Sequence, residues 1–323
     1  MKILITGASG LLGRQVLELC RQQGHIVKAL AFTRSDPQEG LEKLDLTDTS
    51  ALSDCIHRFQ PDAIIHTAAE RRPDVVERDP QASNAINVDV PTNLSRIAAD
   101  LPNVPLLINV STDYVFDGSK PPYKVDDQPN PLNAYGVSKL QGERALLQNA
   151  KRGCFTNLRV PVLYGKAESN DESAVNILLD AIKPPTNPSG PRKKCDAYCV
   201  RYPTNVSDVS KALLELCTAF TPDSPNMPPI THFSAKEAMT KYDMCNVLSR
   251  VSNGVGFDTS TSHLDPEFEA DPLATTTRPR HCKLDTAVIE DLGISVQCVS
   301  FEDWWRAYLE EVRDHNGSEL ASR

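Results

Sequence analysis

The chain opens on an apolar, β-branched run, Lys2-Ile3-Leu4-Ile5-Thr6, and passes at once into Gly7-Ala8-Ser9-Gly10-Leu11-Leu12-Gly13. No other stretch limits the possible folds as strongly. Glycines spaced G-x-x-G-x-x-G between a strand and a helix provide a tight turn at Gly7, room for a ligand against the backbone at Gly10, and close helix–strand packing at Gly13. The helix that follows offers free N–H groups and a positive partial charge at its N-terminus, so a diphosphate suits this turn. A glycine triplet also serves a plain strand–helix turn. Its position between a clear strand and a clear amphipathic stretch makes dinucleotide binding the stronger reading.

The pattern then repeats. Strands are expected at Lys2–Thr6, His25–Phe32, Ala63–His66, Pro105–Val110 and Phe155–Val160, and helices at Gly10–Gln23, Thr49–Phe59, Asn84–Asp100 and Ala134–Gln148. Alternation of this kind predicts an α/β fold, a doubly wound parallel sheet of Rossmann-like type. After Gly165 it breaks down, and Lys183–Arg192 (KPPTNPSGPR) is too rich in proline and glycine for anything but a loop. We therefore expect residues 1–165 to form a nucleotide-binding domain, with a segment near 203–234 returning to it. Residues 166–202 and 235–300 would make a smaller, irregular C-terminal substrate lobe, and 301–323 a last helix with a frayed polar tail from His315 to Arg323. Beyond the loop, a short strand is expected at Thr231–Ser234 and a helix at Lys241–Val251.

Charge and composition narrow the function classes. The chain has 34 basic and 43 acidic side chains, a formal net charge of −9, so a nucleic-acid partner is not expected. No apolar run approaches the ~18 residues of a membrane span, and the first residues lack the pattern of a signal peptide, so no membrane association and a cytoplasmic location are expected. Nine scattered cysteines suggest free thiols and no disulfide framework. Cys195 and Cys199 are four apart, but no second ligand pair accompanies them, and no metal site is expected.

Two groups of residues carry chemistry. The second strand ends in Phe32-Thr33-Arg34, with no carboxylate before Asp36. An acidic residue there would bind the free ribose 2′-hydroxyl of NAD, whereas a guanidinium pairs with the 2′-phosphate of NADP, so NADP leads NAD and Arg14 is a candidate neighbour. Asp45 and Leu46 are expected near the adenine, and small residues from Thr67 onward leave room for the cofactor backbone. Further along, Tyr135 and Lys139 are spaced i, i+4 on one helix face, where an ammonium can favour the phenolate and hold a nicotinamide ribose. Thr112, at the end of the Pro105–Val110 strand, can bind the carbonyl oxygen that Tyr135 protonates, and Asn87 on the preceding helix can position a water.

These features, with Ser111–Gly118 (STDYVFDG), Pro122-Tyr123 and Pro131–Glu143 (PLNAYGVSKLQGE), resemble the extended short-chain dehydrogenase/reductase family. Two branches share those motifs: the dTDP-4-dehydrorhamnose reductases and the regulatory β subunits of methionine adenosyltransferase. His66–Glu77 (HTAAERRPDVVE), Leu158–Gly165 (LRVPVLYG), Arg201–Val209 (RYPTNVSDV) and Met239–Met244 (MTKYDM) are close to the β-subunit pattern. The reductases typically carry an aromatic residue where this chain has Val162. The resemblance implies NADP contacts at Ser9, Gly10, Leu11, Leu12, Phe32, Thr33, Arg34, Asp45, Leu46, Thr67, Arg71, Tyr135 and Leu163. It also implies a methionine adenosyltransferase catalytic subunit as partner, or, on the reductase side, a nucleotide-sugar substrate. The family's C-terminal tail takes part in docking. Here Trp304-Trp305 is followed by Glu310-Glu311-Val312-Arg313 and a polar end, unlike the family's apolar tail.

Overall fold

The computed structural model describes residues 1–36, 38–187, 190–271 and 274–321. In chain order its strands are β1 (Lys2–Thr6), β2 (Ile26–Ala31), β3 (Leu41–Lys43), β4 (Ala63–His66), β5 (Leu106–Thr112), β6 (Phe155–Val160), β7 (Leu163–Tyr164), β8 (Lys193–Asp196), β9 (Thr204–Asn205), β10 (Ile230–His232) and β11 (Leu264–Glu267). The helices are α1 (Leu11–Gln22), α2 (Thr49–Phe59), α3 (Pro73–Arg78), α4 (Pro80–Asn84), α5 (Val90–Ala99), α6 (Ala134–Asn149), α7 (Leu178–Ala181), α8 (Val206–Ala219), α9 (Lys241–Gly254), α10 (Ala287–Asp291) and α11 (Phe301–Ala321).

Seven parallel strands form the main sheet in the order β10-β6-β5-β4-β1-β2-β3. Strands buried on both faces are apolar at successive positions, and their alternate side chains divide between two layers. Ile3, Ile5, Ala63, Ile65, Leu106 and Ile108 face α1 and α8, where Val16, Cys20, Val209 and Leu213 cover them. Leu4, Ile64 and Leu107 face the other way, against Leu52 and Ile56 of α2 and Leu94 and Ile97 of α5. This is the doubly wound parallel architecture expected from the sequence. The strand order reverses between β1 and β4, and a crevice opens there at the carboxyl ends of the strands.

A separate apolar cluster lies in the C-terminal part of the chain. Tyr164, Leu178, Ile182, Met244, Leu248 and Leu264 pack there with Phe301, Trp305 and Leu309 of α11. The tryptophan pair divides as a helix face dictates: Trp305 is fully buried, Trp304 only partly. Parallel pairing of β8 with β11 adds a small sheet whose rims carry opposite charge, Lys194 pairing with Glu267 and Arg192 with Asp265.

Four expectations are corrected. The helix expected over Asn84–Asp100 is instead α4, a π-helical turn at Ala85–Asp89, and α5. Ser111 and Thr112 belong to β5 itself and do not follow it. The last helix does not give way to a frayed tail at His315: its backbone continues to Ala321, because a stretch without proline extends a helix already nucleated on the core. Of the tail expected to fray, Ser322 and Arg323 lie outside the described residues. The strands β7, β8, β9 and β11 had no counterpart among the expected elements. Among the described residues no helix is long and apolar enough to cross a membrane.

Candidate functional site

The crevice is a cavity of about 610 Å³. Its floor is the first turn. Gly7 holds a left-handed φ of +70°, and a Cβ there would come within 2.7 Å of Ala68 N. Gly13 is more restricted still, since its Cβ would approach the Gly7 carbonyl oxygen to 2.1 Å. Those two close contacts bring α1 down on the turn. Gly10 caps α1 without any side-chain acceptor on the helix's first N–H groups, which leaves donors directed at the cavity. Ser9, Gly10, Leu11 and Leu12 line it beside them.

One wall comes from β2 and the segment after β3. Phe32, Thr33 and Arg34 follow β2, and Asp45 and Leu46 follow β3. Thr47 donates to Asp45 through both its N–H, at 2.9 Å, and its hydroxyl, at 2.7 Å, holding the carboxyl below the usual carboxylate range. Thr67, at the end of β4, donates its hydroxyl to the Thr6 carbonyl at 2.7 Å, tying the two switch-point strands together. Arg71 lines the same side and reaches across to the Asp171 carbonyl at 3.3 Å. Leu163 both lines the cavity and packs against the core under the sheet.

The far end gathers Thr112, Tyr135 and Lys139. Asn133 caps α6 through Gly136 N, so the helix begins at Ala134 and presents Tyr135 on its first turn. Burial pushes the Tyr135 phenol well above its ordinary value, against the opposing hydrogen bond with Thr112 and the charge of Arg71. The expected lowering of that phenol by Lys139 is therefore corrected: the net direction is upward, set by burial, with Arg71 the cation that opposes it. Lys139 donates to the Val110 carbonyl at 2.7 Å, and burial brings its ammonium down to about 8, with Glu143 opposing. Asp113, also lining the cavity, is raised by burial to about 6 against Arg201 and Thr112.

Asn87 stands one layer behind. Its Nδ2 donates to the Glu70 carbonyl and to Ser138 Oγ, both at 3.0 Å, and its Oδ1 accepts from Glu70 N at 3.0 Å. Those bonds hold the segment that carries Glu70 and Arg71, and the side chain is 1% exposed, so Asn87 acts on the site through that segment. Arg278, outside the cavity lining, pairs with Asp74 at 2.9 Å.

Beneath the far end lies a buried pair that motif reading passed over. Glu143 and Arg159 are each 1% exposed. Glu143 accepts from Ser111 Oγ at 2.5 Å, Arg159 Nε at 2.9 Å and Arg159 Nη2 at 2.6 Å, so α6, β5 and β6 meet on one carboxylate. Glu172 was missed too. It lies about 140 positions from Arg34 in sequence, in a segment with no motif, yet it lines the cavity and binds both Arg14 and Arg34.

Comparison with known proteins agrees with this geometry. A family model described as the RmlD substrate binding domain matches residues 1–315. Methionine adenosyltransferase 2 subunit beta of Bos taurus is 41% identical over 293 residues, 91% of this chain and 83% of that protein. The protein of the same name from Danio rerio is 37% identical over 303 residues, 94% of this chain and 88% of its own. Among solved structures, a dTDP-4-dehydrorhamnose reductase ortholog from Clostridium acetobutylicum superposes with a TM-score of 0.76 at 23% identity, covering 97% of this chain and all of that one. The chain belongs to the methionine adenosyltransferase beta-subunit family, a branch of the extended short-chain dehydrogenase/reductases built on the RmlD-type domain.

Proposed function

We propose that this protein is an NADP-binding regulatory subunit that joins a methionine adenosyltransferase catalytic subunit and adjusts S-adenosylmethionine synthesis. One observation carries the reading. The stretches His66–Glu77 and Leu158–Gly165, which set the beta-subunit pattern apart from the reductases, line a single cavity through Thr67–Arg71, Pro73 and Val160–Leu163. Two of the four distinctive stretches therefore meet at one cavity, while Arg201–Val209 and Met239–Met244 lie outside its lining.

A dinucleotide fits what the chain offers. The turn at Gly7 and Gly13 excludes any side chain, and the uncapped start of α1 supplies donors for a diphosphate. Arg34 lines the cavity and would supply a cation for a 2′-phosphate, with Arg14 behind it on the shared Glu172, and Lys139, held by Val110, would hold the ribose of the other half. Copurification with the catalytic subunit at micromolar concentration, with NADP present, tests the proposal, and absence of a complex refutes it. NADP at 100-fold over its dissociation constant should stabilise the chain by about 2.7 kcal/mol.

A second reading is an NADPH-dependent reductase of a nucleotide-linked 4-keto sugar, which the convergence of Thr112, Tyr135 and Lys139 favours. When bound, the nicotinamide supplies the hydride. Tyr135, half-buried and with its phenol shifted upward, would donate a proton to the substrate oxygen, and Thr112 would hold that oxygen. With NADPH and dTDP-4-keto-6-deoxyglucose, loss of reduced-cofactor absorbance that Tyr135→Phe abolishes would establish this reading, and a flat trace for the unaltered protein would reject it.

A further inference from the structure

Arg14 on α1 and Arg34 after β2 are the cations available for a 2′-phosphate, but neither is free. Glu172 binds both. Arg14 donates to it at 3.2 Å from Nη1 and 2.5 Å from Nη2, and Arg34 donates through Nη1 to the same Oε1. Glu168 adds a second carboxylate, 2.8 Å from Arg34 Nη1 and 3.4 Å from Arg14 Nη1. Burial by itself would raise the Glu172 carboxyl, yet hydrogen bonds from Arg14, Arg34 and the Glu168 N–H bring it down to about 2. Two guanidinium groups face two carboxylates, so this cluster carries no net charge of its own where a 2′-phosphate would dock. Arg71, bound to the Asp171 carbonyl, ties the same short segment across the cavity.

We propose that Glu172 determines the choice between the two nicotinamide dinucleotides: its carboxylate occupies the guanidinium pair, and a 2′-phosphate binds by displacing it. The inference rests on the dinucleotide reading above and adds the residue that sets its selectivity. A 2′-hydroxyl is neutral and leaves the four-membered cluster intact. A 2′-phosphate is a dianion, and beside an undisplaced Glu172 it would meet like charge in a partly buried site, which opposes binding. NADP therefore binds with part of its arginine contact energy spent on moving Glu172 aside, and NAD does not. The Glu168 N–H, which donates to Glu172 Oε2 at 3.1 Å, should lose that acceptor when NADP binds and keep it with NAD.

The test is calorimetric titration of the full chain with NADP and with NAD, for the unaltered protein and for Glu172→Gln, with hydrogen exchange at residues 168–172 as a second readout. The expected result is roughly tenfold tighter NADP binding in E172Q, with NAD affinity unchanged within about twofold. Amide exchange in the segment should rise with NADP and stay constant with NAD. Glu168→Gln, at an exposed position, should move NADP affinity the same way by about threefold, and it decides the matter if E172Q does not fold. Unchanged or weaker NADP binding in these variants, when the unaltered protein binds NADP, overturns the role of Glu172 alone. If the unaltered protein takes up neither dinucleotide, the cofactor reading fails and this inference fails with it.

Discussion

Replacing Glu143 with alanine should destabilise the protein more than any loss of surface charge. The carboxylate accepts three hydrogen bonds, from Ser111 Oγ and from two nitrogens of Arg159, and both ends of the ion pair are 1% exposed. Among the described residues Arg159 has no second ion-pair partner. Its guanidinium lies 5.0 Å from the Phe116 ring centroid, and its other neighbour is His232, 3.4 Å away and held neutral by burial, with a pKa lowered to about 3. The variant therefore leaves an uncompensated buried cation, for which the cost is about 3–5 kcal/mol. At about 2 °C per kcal/mol for a chain of this size, Tm should fall by roughly 6–10 °C, measured by scanning calorimetry. The control removes both charges. Glu143→Leu with Arg159→Met eliminates the desolvation cost along with the pair and should recover most of the lost Tm. Because α6 also carries Tyr135 and Lys139, E143A should weaken NADP binding as well, through a helix no longer fixed to β5 and β6. A Tm within about 2 °C of the unaltered protein would refute the reasoning, since it would mean that Arg159 loses nothing when its partner goes.

Other outcomes follow from the same geometry. Gly13→Ala forces a Cβ to within 2.1 Å of the Gly7 carbonyl unless the turn shifts, so NADP uptake by calorimetry should fall at least about tenfold; retained affinity would show that the turn is not the diphosphate cradle. Trp305→Ala empties a fully buried position between Tyr164 and Phe301 and should cost about 3–5 kcal/mol in denaturant unfolding; a change below about 1 kcal/mol would remove α11 from the lobe core. Lys139→Met gives a pH signature. The folded-state value of about 8 lies below the ordinary 10.5, so between those pH values the unfolded chain holds a proton that the folded chain has released, and stability gains as pH rises. The variant, free of that penalty, should be the more stable protein at pH 7 and lose its advantage by about pH 10, and a pH-independent difference in Tm would contradict the assigned burial.

What the sequence made legible is what local order encodes. The β1–turn–α1 unit, the apolar runs of β4, β5 and β6, and the Tyr135–Lys139 spacing each lie within one element and its flanks, where period and glycine placement determine the geometry. The carry-over of Arg71 and Leu163 from the family brought in positions that periodicity does not mark, and both line the cavity. Asn87 marks where this approach fails. An unbroken helix over Asn84–Asp100 gives no reason to place it against Glu70, and only the π-helical turn at Ala85–Asp89 commits its amide to that backbone. Glu143 and Glu172 fail for a different reason. Each looks like an ordinary helix or loop carboxylate until chain reversal brings it to an arginine 16 or roughly 140–160 positions away. A carboxylate buried against one cation fixes the helix that carries Tyr135 and Lys139, while Glu172, together with Glu168, balances the charge of Arg14 and Arg34 beside the cavity. The first is costly to remove because nothing replaces it; the second, on the proposal above, gives way to a ligand group that carries its charge.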